Sequence, residues 1–120
     1  MADLKYYRSE VVRAGGDPQA VEAGVTALVS APFDQWPALM SLLDVEADKL
    51  PFPFDRDFLA VCLESVAEQR HDPRQKRFLL ECALNRATWC ASCATAGGEG
   101  LARSIHVHAL EAKLKALGSR

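Results

Sequence analysis

The chain has 120 residues, with 16 Asp or Glu against 14 Lys or Arg and a net charge of −2. Near-neutrality excludes a global electrostatic claim on nucleic acid, and no apolar run approaches the ~20 residues needed to span a bilayer. Apolar residues make up 49%, enough for one domain of this length to bury about two-thirds of its unfolded surface. The opening Met1 to Arg8 lacks the apolar core of a signal peptide. The expected compartment is therefore cytoplasmic, with no membrane and no nucleic acid among the partners.

Helix caps divide the chain in order. The first segment runs to Gly15-Gly16, a helix stop. Asp17-Pro18 then reads as an N-cap followed by proline at the first helical position, where its missing N–H costs nothing. Phe33-Asp34 and Phe54-Asp55 each place an aromatic residue before an Asp cap, and Leu59 stands where a hydrophobic staple would close on Phe54. Pro51-Phe52-Pro53 ends the third segment. Asp72-Pro73-Arg74-Gln75 repeats the Asp-Pro start and adds the Gln of a capping box. Gly97-Gly98 closes the fifth segment. These signals predict helices near 3–14, 18–30, 35–49, 56–70, 73–96 and 99–117.

Periodicity supports the division. Phe58, Leu59, Cys62, Leu63 and Val66 share one face at i, i+3, i+4 spacing. Phe78, Leu79, Cys82, Arg86, Trp89 and Cys93 form a second stripe with Arg86 as its only polar member. Val107, Leu110, Leu114 and Leu117 form a third. No sustained strand alternation appears. The fold class expected is all-α, a compact bundle or array of five to six helices in a single domain over 1–120. Pro-Phe-Asp occurs at Pro32 and again at Pro53. The residues after the two copies do not match, so two similar helix starts explain them better than a repeat.

The four cysteines suit a reduced compartment, since Cys62 and Cys82 lie inside apolar helical runs. Cys90 and Cys93 are three apart, close enough on a helix to form a disulfide or share a metal. A helix break between Asn85 and Thr88 would put Cys90 in a first turn, where the helix dipole favours thiolate. The Trp89 to Cys93 stretch resembles the carboxymuconolactone decarboxylase and alkylhydroperoxidase-D-like family, small all-helical proteins with a Cys-x-x-Cys pair and an upstream Glu. The resemblance implies a thiol–disulfide or peroxide-reducing enzyme with Cys90 as nucleophile, Cys93 as resolving thiol and Glu81 as proton acceptor. It covers about fifteen residues. The His expected after the second Cys is replaced by Ala94-Thr95-Ala96-Gly97-Gly98. The plainer reading makes these cysteines core residues on the Phe78 stripe.

Zinc is weakly supported. His106 and His108, two apart on a helix, leave it ~200° apart, so only one of them joins Cys90 and Cys93. Neither metal nor cofactor is expected. Both histidines read as boundary residues of a packed terminal helix, His108 beside Ile105 and Ala112, His106 beside Lys113. His71 reads as a loop residue. Gly97-Gly98-Glu99-Gly100 lacks the strand, the Lys and the spacing of a phosphate loop.

Charge placement is the remaining signal. From Asp34 to Glu68 the chain carries eight carboxylates (Asp34, Asp44, Glu46, Asp48, Asp55, Asp57, Glu64, Glu68) against Lys49 and Arg56. They fall outside the apolar stripes and are expected to form a solvated face, which either aids solubility or steers a basic partner. The leading expectation is a non-catalytic module that binds another protein, a basic one, through Asp44, Glu46, Asp48, Asp55 and Asp57. Phe52 and Phe54 would be apolar anchors. An immunity-type, toxin-neutralising role is one concrete form, and a homo-oligomer would use the same apolar surface.

Overall fold

Helix α4 (Asp55–Ala67) is the axis of the molecule. From Phe58 to Leu63 every side chain is buried, so this helix is apolar all round and must be enclosed by others. The structure, a computed structural model, describes residues 4–50, 55–93 and 98–118, with side chains for 4–50, 56–88 and 106–117. Around α4 stand α1 (Leu4–Arg13), α2 (Pro18–Ser30), α3 (Trp36–Asp48) and α5 (Pro73–Cys93), and α6 (Gly98–Gly118) packs along α5. Phe33–Gln35 forms a single 3-10 turn before α3. Among the described residues there is no strand. The radius of gyration is 13.7 Å, against about 13.6 Å for one compact body of this length, so the helices form one globule.

Local chemistry explains most of the helix ends. Gly15 closes α1 with φ +94°. Its N–H donates to Val12 O at 3.0 Å and the Gly16 N–H to Val11 O at 2.9 Å, the paired bonds of a Schellman motif. Asp17 caps α2 by accepting from the Gln19 N–H at 3.0 Å, and Asp72 accepts from the Arg74 N–H at 2.9 Å. The capping box expected at Gln75 does not form. Gln75 Oε1 instead accepts two bonds from the Arg70 guanidinium, at 3.1 and 3.0 Å, across the α4–α5 turn. Asp34 makes no cap either, because the 3-10 turn intervenes and α3 starts at Trp36. The staple expected between Phe54 and Leu59 lies outside the described residues.

Trp36, Met40, Leu43 and Ala47 turn the inner face of α3 to the core. Trp36 also donates from Nε1 to Ala31 O at 3.0 Å and meets Phe33 and Phe78 edge-on, with ring centroids 4.9 and 5.8 Å away. On α2, Gly24 lets α3 approach, since a Cβ there would stand 2.5 Å from Leu43 Cδ2. The core face of α5 is Leu79, Leu80, Ala83 and Ala87. Phe78, Cys82 and Arg86, expected as its core stripe, form a half-buried flank turned toward α3.

Candidate functional site

Two regions combine unusual polarity or exposure with defined geometry. The first lies between α4 and α6. Glu64 is the only charged residue between Phe58 and Ala67, and it is buried. His106 Nε2 stands 2.8 Å from Glu64 Oε1. An ionised carboxylate only accepts, so the ring nitrogen donates. Lys113 Nζ donates to Glu64 Oε2 at 2.6 Å and also to Glu68. Burial pushes the Glu64 carboxyl up, but the hydrogen bonds and charges of His106 and Lys113 outweigh it and leave the carboxyl below its ordinary value. Burial likewise pulls the Lys113 ammonium down, and Glu64 and Glu68 carry it above its ordinary value.

His106 was expected at the edge of the packed face of the terminal helix and is instead buried against this carboxylate. His108 was also placed at the packing boundary, yet its side chain is exposed and stands beside Glu111, at 3.3 Å. The two lie on opposite sides of α6, as their spacing requires. His106 and Glu64 are closed off from solvent while Lys113 and Glu68 reach it, so the cluster joins α4 to α6 with its carboxylate–imidazole pair on the inside.

The expected acidic face divides three ways. Asp57 is almost fully buried in the first turn of α4, where the positive end of the helix dipole favours a carboxylate. That placement corrects its assignment, and that of Glu64, to a solvated surface. Asp44 reaches α5: Arg86 donates from Nε to Asp44 Oδ1 at 3.0 Å and from Nη2 to Oδ2 at 2.5 Å. Glu46 and Asp48 do lie toward solvent, each beside a cation, Lys49 at 3.1 Å and Arg56 at 3.3 Å. Phe52, Phe54 and the side chain of Asp55 lie outside the described residues.

For the thiols, α5 is continuous from Pro73 to Cys93. Cys90 and Cys93 therefore belong to the last turn, whose partial charge is negative, the opposite of the first turn that favours thiolate. Their side chains lie outside the described residues. Position 81 is nine residues from position 90 on one helix, a rise of about 13.5 Å, beyond direct proton transfer. Glu81 is exposed. Burial pushes the Cys62 thiol up to about 12 and raises Cys82 as well. Among the described residues no group of three His, Cys, Asp or Glu side chains is placed to hold a metal, and no helix is long and apolar enough to cross a membrane.

The second region is the outer face of α3. Leu42 is 63% exposed and Val45 55% exposed. With exposed Ala38 and Lys49 they follow a 4-3-4 spacing, the seam pattern by which one helix packs on another. The core residues Trp36, Met40, Leu43 and Ala47 follow the same spacing two positions earlier, about 200° around the helix. Helix α3 thus carries two seams back to back, one filled by this chain and one open. Leu42 and Val45 themselves line a groove of about 340 Å³ between α2 and α3, together with Gly24, Ala27, Leu39, Leu43 and Glu46. The pattern was present in the sequence, but only the inner seam's burial shows which of the two faces outward. A wider open groove at the α1–α2 corner holds Arg8 and Arg13, and both already face carboxylates, Glu22 and Glu10.

No family model, curated protein or solved structure matches this chain.

Proposed function

We propose that the chain is a protein-interaction module, without chemistry of its own, that seats a helix of a partner protein on the outer seam of α3. The observation that carries this reading is the pair Leu42 and Val45, more than half exposed on a helix whose opposite face, Trp36, Met40, Leu43 and Ala47, supplies the core. Leaving two large aliphatic side chains in water three residues apart forgoes about 1.5–3 kcal/mol for each that a partner would bury. Glu46 and Asp48 border the seam as a polar rim, and their own cations reduce the pull they exert on a basic partner. Recognition in this reading is led by shape and apolar contact, with charge second. A toxin-neutralising role is one concrete form of it.

The test is a photo-crosslinking residue at position 42, with the same residue at exposed position 81 on α5 as control, in cells producing the chain. A discrete product from position 42 alone is expected. Its partner, purified, should lose at least tenfold in affinity for Leu42→Glu, the equivalent of about 1.4 kcal/mol, while thermal unfolding of that variant stays as in the parent. Equal or absent crosslinking at the two positions would remove the seam as a binding face.

A further inference from the structure

We infer that α6 is an acid-released arm: the clasp of Glu64 on His106 and Lys113 holds it down, and protonation of that carboxylate frees α6 while α1 to α5 stay folded. Among the described residues, Leu110 is the one α6 side chain in the buried core, and every other member of that core lies before α6. Val107, Leu114 and Leu117 are only partly covered. The second buried side chain that α6 contributes is polar, His106. The inward face of the helix is thus one aliphatic side chain and one imidazole, and its docking leans on polar bonds.

Those bonds depend on a single acceptor. His106 Nε2 and Lys113 Nζ both donate to Glu64, at 2.8 and 2.6 Å, one to each oxygen. A proton added to Glu64 turns one of these oxygens into a donor. A donor then faces a donor inside the interface, where water does not replace the lost bond. Glu68 still pairs with Lys113, but its side chain is more than half exposed and such a pair is weak. The elements packed on α4 bring no buried charge to the carboxyl: α1 turns Val11 inward, and α5 Leu79, Leu80 and Ala83. Asp57, the remaining buried charged side chain among the described residues, lies two turns back in α4.

The folded carboxyl lies below its ordinary 4.5, held there by His106 and Lys113 against the effect of burial. The docked state therefore resists the proton and the freed state takes it up. Each unit of pH below 4.5 favours release by up to about tenfold, until the lowered value is reached.

Amide hydrogen exchange on the intact chain, from about pH 6 to about pH 3 so as to span the carboxylate range, reads this peptide by peptide. After correction for intrinsic rates, peptides within 106–117 should lose about tenfold or more in protection, and those within α2, α3 and α4 should keep theirs. Glu64→Gln has nothing to titrate in this range, so its α6 should be poorly protected at every pH. Leu110→Ala should lower α6 protection throughout and keep the acid response. Lys113→Gln changes a partly exposed side chain and serves if Glu64→Gln does not fold. It removes one of the two bonds that resist the proton and should shrink the acid response.

Loss of protection in α2, α3 and α4 together with α6 overturns the inference, because acid then unfolds the whole chain at once. So does an α6 whose protection in the parent is independent of pH. An acid response that survives Glu64→Gln, or one left undiminished by Lys113→Gln, overturns it as well.

Discussion

Helices α3 and α4 carry the same kind of side chain and handle it in opposite ways. On α4, Glu64 is buried and shared between His106 and Lys113 of α6. On α3, Asp48 stays at the surface with Arg56 beside it, its side chain about half exposed. Both are carboxylates near a cation, and their energetic weights should differ several-fold. Taking a charge out of water is costly, so a buried partner's removal leaves an uncompensated group behind, whereas water replaces a surface partner at once. The contrast also separates the two seams of the fold. The inner one is fixed by packing and polar bonds, and the outer one on α3 is left to be covered.

The largest effect should come from Glu64. Glu64→Ala strands His106 and Lys113 and should cost about 3–5 kcal/mol in urea unfolding at neutral pH. Its acid behaviour follows from the direction of its shift. The folded carboxyl lies below its ordinary 4.5, so its contribution is complete above that value and is lost as pH falls through the lowered one. Glu64→Gln should therefore be less stable than the parent at pH 7, and the gap should close as the pH drops below about 4.5. Lys113 acts at the other end. Its folded value is raised, so its contribution holds below the ordinary lysine value and fades only as pH rises past it. A gap that persists unchanged into acid would mean that Glu64 is not held as an ion.

An intermediate effect is expected at Asp44, and it shows what the sequence could and could not disclose. The helix ends were legible because they are set within a few residues: Gly15 for α1, Asp17 for α2, Asp72 for α5. Arg86 stood out as the one polar member of an apolar stripe. Its partner did not, because Asp44 is 42 positions away on a different helix. Glu64 and His106 are likewise 42 apart. The clue for Glu64 was its isolation in the apolar run of α4, a place where a charge persists only if paired. For the open seam the pattern on α3 was visible, but two stripes of equal spacing cannot be ranked until the fold fills one. With Arg86 and Asp44 both largely covered, Asp44→Ala should cost about 2 kcal/mol of stability. It should leave binding at the outer seam unchanged, because Asp44 faces α5. A loss of partner affinity without loss of stability would return Asp44 to the binding surface.

The smallest effect should be at Asp48. Its pairing with Arg56 at 3.3 Å joins two side chains that water reaches, and such pairs contribute about 0–1 kcal/mol. Asp48→Asn should shift the urea midpoint by an amount equivalent to less than about 0.5 kcal/mol, and by still less in high salt, where exposed charges are screened. Binding is the sharper readout at this position. Asp48 lies on the rim of the outer seam, so a basic partner would feel its loss as a slower, more weakly salt-dependent association. Unchanged stability with reduced salt dependence of capture would restore charge to the leading role. Unchanged stability with unchanged capture would leave recognition to Leu42 and Val45.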